Sequence, residues 1–456
     1  MINSIRYKAT WFIILLYWSI ASLMLSIDLR WGFYLVAIAT ATTLILSIRT
    51  NIIPVLFLVS LMTTNFISIE IFEGHLRIPF ILNLFVLFSV GLKNIVKVLK
   101  SKIFYLMLAY IIWTLFVTLY TTHDLLDSLR MAILPISLLL ISVNSAAILL
   151  SERIKLQSAT MIILYVLIFN MILGMLQYIG YFVFGINLLN LNEIQWEQIS
   201  MHHRMTATFW EGDTFGKYLM AIILLFVPLS LDLLRNNMKS YLYIILIANL
   251  LLLMNKTRSA WIGLLSGISL FIISMTKTSL VKKGFLLALL IIIAITSIYI
   301  VDYFEEEGVL TQRFRSIMTF EKIREDPSAS FRIETVKNTW RMINSSMNTL
   351  LFGYGYIEMG ESWQGVSNIF LHVWLTSGLI GLIFFILALI FYLFSCLKYK
   401  PILPEDKLIA QGVLLSMCGM ITASLLAPMV IDPIFWMIMG FGIYFELTRT
   451  QKLSAI

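Results

Sequence analysis

Long apolar runs alternate with short polar breaks along almost the whole chain. Runs of about 15 to 25 apolar residues are what a ~30 Å hydrocarbon layer asks of a helix rising 1.5 Å per residue. They fall at residues 10–27, 31–48, 51–69, 78–92, 103–121, 129–150, 158–184, 214–234, 241–255, 259–275, 284–301, 367–396, 408–428 and 432–448. The pattern predicts an all-α polytopic integral membrane protein of about 14 transmembrane helices, or 12 if the short runs at 78 and 241 merge with neighbours. Arg6 and Lys8 precede the first run with no small-residue cleavage site after it, which predicts a retained signal anchor.

Two polar stretches interrupt the pattern. Residues 185–213 are rich in Asn, Gln, Trp and His, and residues 302–366 form a long, densely charged loop. The chain therefore divides into spans at 1–301, a large loop at 302–366, further spans at 367–448 and a tail at 449–456. Long loops seldom lack a use. Within this one, Asp326-Pro327 reads as a helix cap followed by proline at the first helical position. Ile333, Val336, Trp340, Ile343 and Met347 then recur at spacings of three and four, the stripe of an amphipathic helix expected to cover the ends of the spans. At ~100° per residue, Arg332 falls about 60° from the stripe's centre, closer than Lys337 or Arg341.

Composition narrows the class. With 60% hydrophobic and 13% charged residues, the chain lacks the roughly one-quarter charged content of soluble domains. Cys396 and Cys418 have no CxxC spacing, which gives neither a disulfide framework nor a zinc site. The net charge of +8 raises nucleic acid as a partner until the charges are placed. With the N-terminus inside, 19 of the 33 basic residues and five acids fall on the inner side, a balance of +14 that leaves −6 outside. The basic excess thus marks topology and contact with membrane lipids rather than a nucleic-acid site.

The candidate chemistry lies outside. His202-His203-Arg204 with Glu211 and Asp213, Lys256-Thr257-Arg258, and Arg332 with Arg313 and Arg315 sit at the mouths of spans. A guanidinium offers a planar fork of donors that matches phosphate oxygens and stays charged, so converging arginines suit a lipid-anchored pyrophosphate. Any one of them alone could instead snorkel to the interface. Lys256 and Arg258 on an outer hairpin run against the positive-inside bias. Trp196, Trp210, Tyr354, Tyr356 and Trp363 are placed to stack on sugar rings or to pack at the mouths. Glu305-Glu306-Glu307 reads as a solvated face without metal-ligand spacing.

Asn255-Lys256-Thr257-Arg258-Ser259-Ala260-Trp261-Ile262-Gly263-Leu264 resembles the Ser/Thr-Arg-x-x-x-Leu/Ile segment of the bacterial O-antigen ligase and polymerase (Wzy-type) superfamily. Ser330-Phe331-Arg332 with Trp340, Leu351-Phe352-Gly353-Tyr354-Gly355-Tyr356, and Ser367-Asn368 through Ser377-Gly378-Leu379-Ile380-Gly381-Leu382 are similar to the family's loop pattern in the same order. Arg204 through Asp213 resembles its Arg-x-x-Gly-x-Phe outer segment. The resemblance covers residues 200–395.

It implies a GT-C-like, metal-independent and cofactor-free glycosyltransferase in the bacterial cytoplasmic (inner) membrane, active at its extracytoplasmic face. The donor would be a glycan on undecaprenyl pyrophosphate, with Arg258 and Arg332 on the pyrophosphate. A chain-length regulator and a flippase would be its partners. Preorganised guanidinium groups would stabilise the charge that develops on the leaving phosphate. A base must take the acceptor's proton, and Glu211, then Asp213, then His203 are the candidates. Capping of the helix that opens at 214 is the other role open to them. Arg204 would support the donor or acceptor glycan, and Lys256, Arg313, Arg315, Asn368 and His372 complete the candidate binding set, His372 being equally readable as a packed polar residue.

Ligases of the family carry a histidine where this chain has Ser367. That substitution points to a polymerase of surface-polysaccharide repeat units, with a ligase or protein O-oligosaccharyltransferase as the rival. A transporter would require ionisable residues at mid-bilayer and repeated halves.

Overall fold

The computed structural model describes residues 52–63, 68–71, 74–121, 125–186, 193–200, 204–209, 211–235, 240–274, 327–355, 366, 368–401, 403–427, 429 and 432–453. Every predicted span that falls on these residues meets a helix; those at 10–27, 31–48 and 284–301, and the signal anchor, lie outside them. The order is α1 (Ile52–Leu61), a hairpin of β1 (Ser68–Ile71) and β2 (Gly74–Arg77), α2 (Ile78–Val90), α3 (Leu92–Val98), α4 (Lys102–Thr121), α5 (Leu125–Leu150) and α6 (Leu156–Phe184). There follow α7 (Glu193–Ser200), α8 (Gly212–Arg235), α9 (Ser240–Met254), α10 (Arg258–Ser274), α11 (Pro327–Ile343), α12 (Met347–Phe352), α13 (Ile369–Lys398), α14 (Pro404–Ala423) and α15 (Pro433–Leu453).

Among the described residues, five stretches are long and apolar enough to cross a membrane by themselves: Lys102–Thr121, Ile133–Leu150, Leu156–Phe184, Gly212–Ser230 and Ile369–Lys398. The chain is thus a helical, multi-pass membrane protein. The hairpin, whose strands pair antiparallel with Ser68 opposite Arg77, is the β-structure among the described residues. It falls at the end of the span expected at 51–69, which the structure shortens to α1. Just past the last turn of α1, the side-chain amide of Asn170 in α6 donates to the Met62 carbonyl at 3.0 Å.

One continuous apolar core joins the helices. α8 packs against α9, α10 and α14, while α13 packs against α4, α14 and α15. Glycine lets α8, α10 and α14 approach closely, since a Cβ on Gly263 would stand 2.6 Å from the Gly419 carbonyl oxygen and one on Gly267 2.5 Å from Leu224. At one end of the bundle Glu446 of α15 closes the start of α4, accepting from Ser101 Oγ at 2.5 Å and from the Lys102 amide at 3.0 Å. A carboxylate there satisfies amides that have no partner within their own helix and faces the positive end of its dipole. α15 continues through Arg449 to Leu453, so the expected tail begins as helix.

α13 is broken near the opposite end. Gly378 has φ +65°, ψ −174°, and the break exposes carbonyls that a straight helix would satisfy. The turn after α12 takes them up: the Tyr354 amide donates to Leu375 O at 2.8 Å and the Gly355 amide to Thr376 O at 3.0 Å. Trp113 Nε1 of α4 donates to Ser377 O at 2.8 Å. The Leu351–Gly355 turn is therefore docked by backbone pairing on the kink. It fits because Gly353 has no Cβ, which would stand 2.5 Å from the Gly378 nitrogen.

α11 forms where the cap and stripe predicted it, but it ends at Ile343, before Met347, and only part of the stripe is buried. Thr339 and Ile343 are buried and Arg332 is half-buried, whereas Ile333, Val336, Trp340 and Met347 are exposed. The expectation that the stripe covers the spans therefore holds at Ile343 and is corrected at Ile333 and Val336. Ile343 makes a small cluster with Val366 and Leu375, and Trp340 contributes only an edge-to-face contact with Trp374 at 5.6 Å. Next to lipid, an apolar stripe need not be buried in protein to leave water.

Candidate functional site

The site is built at the end of the bundle where α8 and α10 start and α9 stops. Its first part is the segment 204–209, which is buried in the bundle and held by amides of α6. Gln177 Nε2 donates to Ala207 O at 2.9 Å, and its Oε1 accepts from the Thr206 and Ala207 amides at 3.1 and 2.7 Å. Asn170 Oδ1 accepts from Thr208 Oγ1 at 2.6 Å. These residues are two turns apart on one face of α6. Buried backbone groups without partners would cost ~1–3 kcal/mol each, so the two amides make an irregular segment tolerable inside an apolar bundle. Phe209, Phe215 and Tyr218 stack beside it and complete the packing.

The second part is the turn Asn255-Lys256-Thr257. Lys256 has φ +58°, a left-handed conformation that reverses the chain within three residues. Asn255 Nδ2 and Thr257 Oγ1 both donate to the Gly212 carbonyl, at 2.6 and 3.4 Å, tying the start of α10 to the start of α8. The glycines of α8 make this approach possible. A Cβ on Gly216 would lie 2.6 Å from Thr257 Oγ1, and one on Gly212 would lie 2.6 Å from Arg204 Cβ. Arg204 thus runs across the first turn of α8.

These two parts and α11 bring Arg204, Arg258 and Arg332 into one electrostatic neighbourhood with Asp213 and Glu211. Burial lowers the pKa of Arg204; Asp213 and Glu211 oppose that, and Arg258 and Arg332 reinforce it. It stays a cation, since arginine starts several units above neutrality. Its Nε and the Asn255 Oδ1 are buried and take no hydrogen-bond partner among the described residues. Asp213 lies in the first turn of α8, 2.7 Å from Lys217 Nζ. Ser259 Oγ is 3.4 Å from its other oxygen. Glu211 is exposed just before α8.

Of the sequence candidates, Arg204, Arg258, Arg332, Asp213 and Glu211 therefore converge. Lys256 is buried in the adjoining turn. Asn368 caps α13, accepting from the Phe370 and Leu371 amides at 2.9 and 3.2 Å. His372 is buried in α13. Tyr354 anchors its own turn through Ser345 Oγ at 2.8 Å, and Trp196 packs edge-on against Tyr181 at 5.4 Å. His203, Arg313, Arg315, Trp210, Tyr356 and Trp363 lie outside the described residues.

Lys217 and Gln177 escape a reading of the sequence, Lys217 because it sits in a run apolar enough to span and Gln177 because it is a neutral residue whose partners are distant in sequence; Asn255 and Thr257 stand in the quoted motif, but their bonds to Gly212 do not show there.

A helical membrane protein with a half-buried, arginine-rich cluster at one end of its bundle is the class that fold and site define. Residues 242–386, from α9 into α13, match the family model described as O-Antigen ligase, which supports the likeness to the O-antigen ligase/polymerase superfamily. No curated protein matches the chain.

Proposed function

We propose that the protein is a polymerase of surface-polysaccharide repeat units carried on undecaprenyl pyrophosphate, working at the outer face of the bacterial cytoplasmic membrane. The convergence of Arg204, Arg258 and Arg332 in a largely apolar end of the bundle carries this reading. Three cations without an equal number of acids suit a ligand with several negative oxygens, and in such surroundings each charge is worth far more than in water. Arg258 and Arg332 hold the donor's pyrophosphate and Arg204 supports it. An acceptor hydroxyl of a second lipid-linked unit attacks the anomeric carbon with inversion. Its oxygen forms the new glycosidic bond as the bond from that carbon to the phosphate oxygen breaks, and its proton passes to Glu211. Undecaprenyl pyrophosphate leaves with the charge that the arginines neutralise, so the step calls on no metal.

Transfer to lipid A core or to protein is the second reading, favoured by the ligase description of the matching family. Purified protein given lipid-linked repeat units alone separates the two. A ladder of longer lipid-linked glycans supports polymerisation. No product until a second acceptor is added supports ligation and overturns the first reading. In cells, Arg258→Ala and Arg332→Ala are each expected to abolish long-chain polysaccharide while the protein stays in the membrane. A wild-type chain-length distribution in either variant removes the pyrophosphate site.

A further inference from the structure

Lys217 is a buried amine that the proposed chemistry does not use. It lies one turn into α8 with its side chain 6% exposed, and its Nζ stands 2.7 Å from Asp213 Oδ2. An amine in a membrane-spanning helix is costly unless paired, and so is a carboxylate. The local geometry favours this pair. Asp213 sits in the first turn, where the helix dipole stabilises an anion, and the acid precedes the base by four residues, the better orientation for a helical ion pair.

The pair has a competitor. Among the charges acting on Arg204, Asp213 is the largest, and Arg204 and Arg332 in turn both act on Asp213. Yet the ion pair that Asp213 makes is with Lys217, while Arg204 Nε stays buried and unpartnered among the described residues. A carboxylate beside a guanidinium normally takes it in a bidentate, charge-assisted pair. We propose that Lys217 is a positioning residue: by holding Asp213 on its own helix, it keeps Arg204 open to the phosphate oxygens of a lipid-linked pyrophosphate. The role rests on the pyrophosphate reading above. Without Lys217, the half-buried Asp213 carboxylate would turn to Arg204, and a ligand would have to break that pair before binding.

Farnesyl pyrophosphate is a soluble probe of the same headgroup chemistry, and its binding to the purified full chain in detergent tests the proposal. Lys217→Met is expected to weaken binding about tenfold, the scale of one charge-assisted hydrogen bond. Asp213→Asn combined with Lys217→Met removes the competitor as well and is expected to return affinity to within about threefold of wild type, as coupled neighbours do. Lys217→Arg keeps a cation on Asp213 and is expected to bind as the wild type does. A purely structural pair would move the melting temperature and leave the affinity of the folded fraction alone. Wild-type affinity in folded Lys217→Met overturns the proposal, and so does a double variant as weak as the single. If Lys217→Met does not fold, the double variant decides by itself, loss of binding there being the overturning result. Binding that survives Arg258→Ala and Arg332→Ala, or that the wild type lacks, sinks the pyrophosphate reading and the positioning role together. Binding lost in those two but kept in Lys217→Met sinks the positioning role alone.

Discussion

Arg204 owes its place to a residue with no side chain. Gly212 is the first residue of α8, and a Cβ there would lie 2.6 Å from Arg204 Cβ and 3.2 Å from its Cδ. In an exposed helix, replacing glycine by alanine gains roughly 0.5–1 kcal/mol of helix stability. Here that gain opposes the displacement of Arg204, so stability is a poor readout and ligand affinity a good one. Gly212→Ala is expected to fold and to bind farnesyl pyrophosphate about tenfold more weakly, as loss of one charged hydrogen bond would give. Unchanged affinity, measured by titration of the purified variant, would show that Arg204 is not held by this contact. At this scale the arginines were legible in the sequence because charge is rare in a chain that is 13% charged. Gly212, Gly216 and Lys217 were not, since their meaning depends on what stands 2.6 or 2.7 Å away.

At the scale of elements, the loop helix separates what a periodicity can say from what it cannot. Asp326-Pro327 and the spacing of Ile333, Val336, Trp340 and Ile343 gave the helix and its register, whereas Met347 falls in α12, past the Ser346 cap. They could not give its facing, because in a membrane protein lipid is as good a neighbour for an apolar stripe as a core. α11 buries Ile343 completely and leaves Val336 at 37% exposure. Ile343→Ala is therefore expected to destabilise by about 2–4 kcal/mol, the cost of emptying a packed aliphatic site. Val336→Ala is expected to cost under about 0.5 kcal/mol, as substitutions outside a core do. Thermal unfolding of the two variants in detergent compares them directly, and equal losses would mean that the stripe packs as a unit. The kink of α13 shows the reverse: Ser377-Gly378 was legible as a motif, but its purpose, freeing carbonyls for the turn at Tyr354 and Gly355, required the distant partner.

At the scale of the molecule, the two ends of the bundle carry different chemistry. Around Glu446 gather Ser101 and Lys102, with Lys102 Nζ 5.6 Å from the Phe391 ring and Lys398 Nζ 5.2 Å from the Phe394 ring. Such cation–π contacts let long amines lie along apolar surface near headgroups. At the other end stand Arg204, Arg258 and Arg332 with Asp213 and Glu211. If retained lysines and arginines set orientation, the end with Lys93, Lys97, Lys100, Lys102, Lys398 and Lys400 is cytoplasmic and the arginine site faces out. Single cysteines test this in a chain whose own Cys396 and Cys418 are first replaced by serine. Lys337→Cys and Glu334→Cys, both on exposed positions of α11, are expected to react with a membrane-impermeant maleimide in intact cells from which any outer membrane has been removed. Lys93→Cys and Lys100→Cys, both exposed at the other end, are expected to react only after the cytoplasmic membrane is permeabilised. The opposite labelling pattern would put the arginines on the side where nucleotide-activated sugars are available. The reason for a lipid-linked donor would then be gone, whatever the residues themselves can bind.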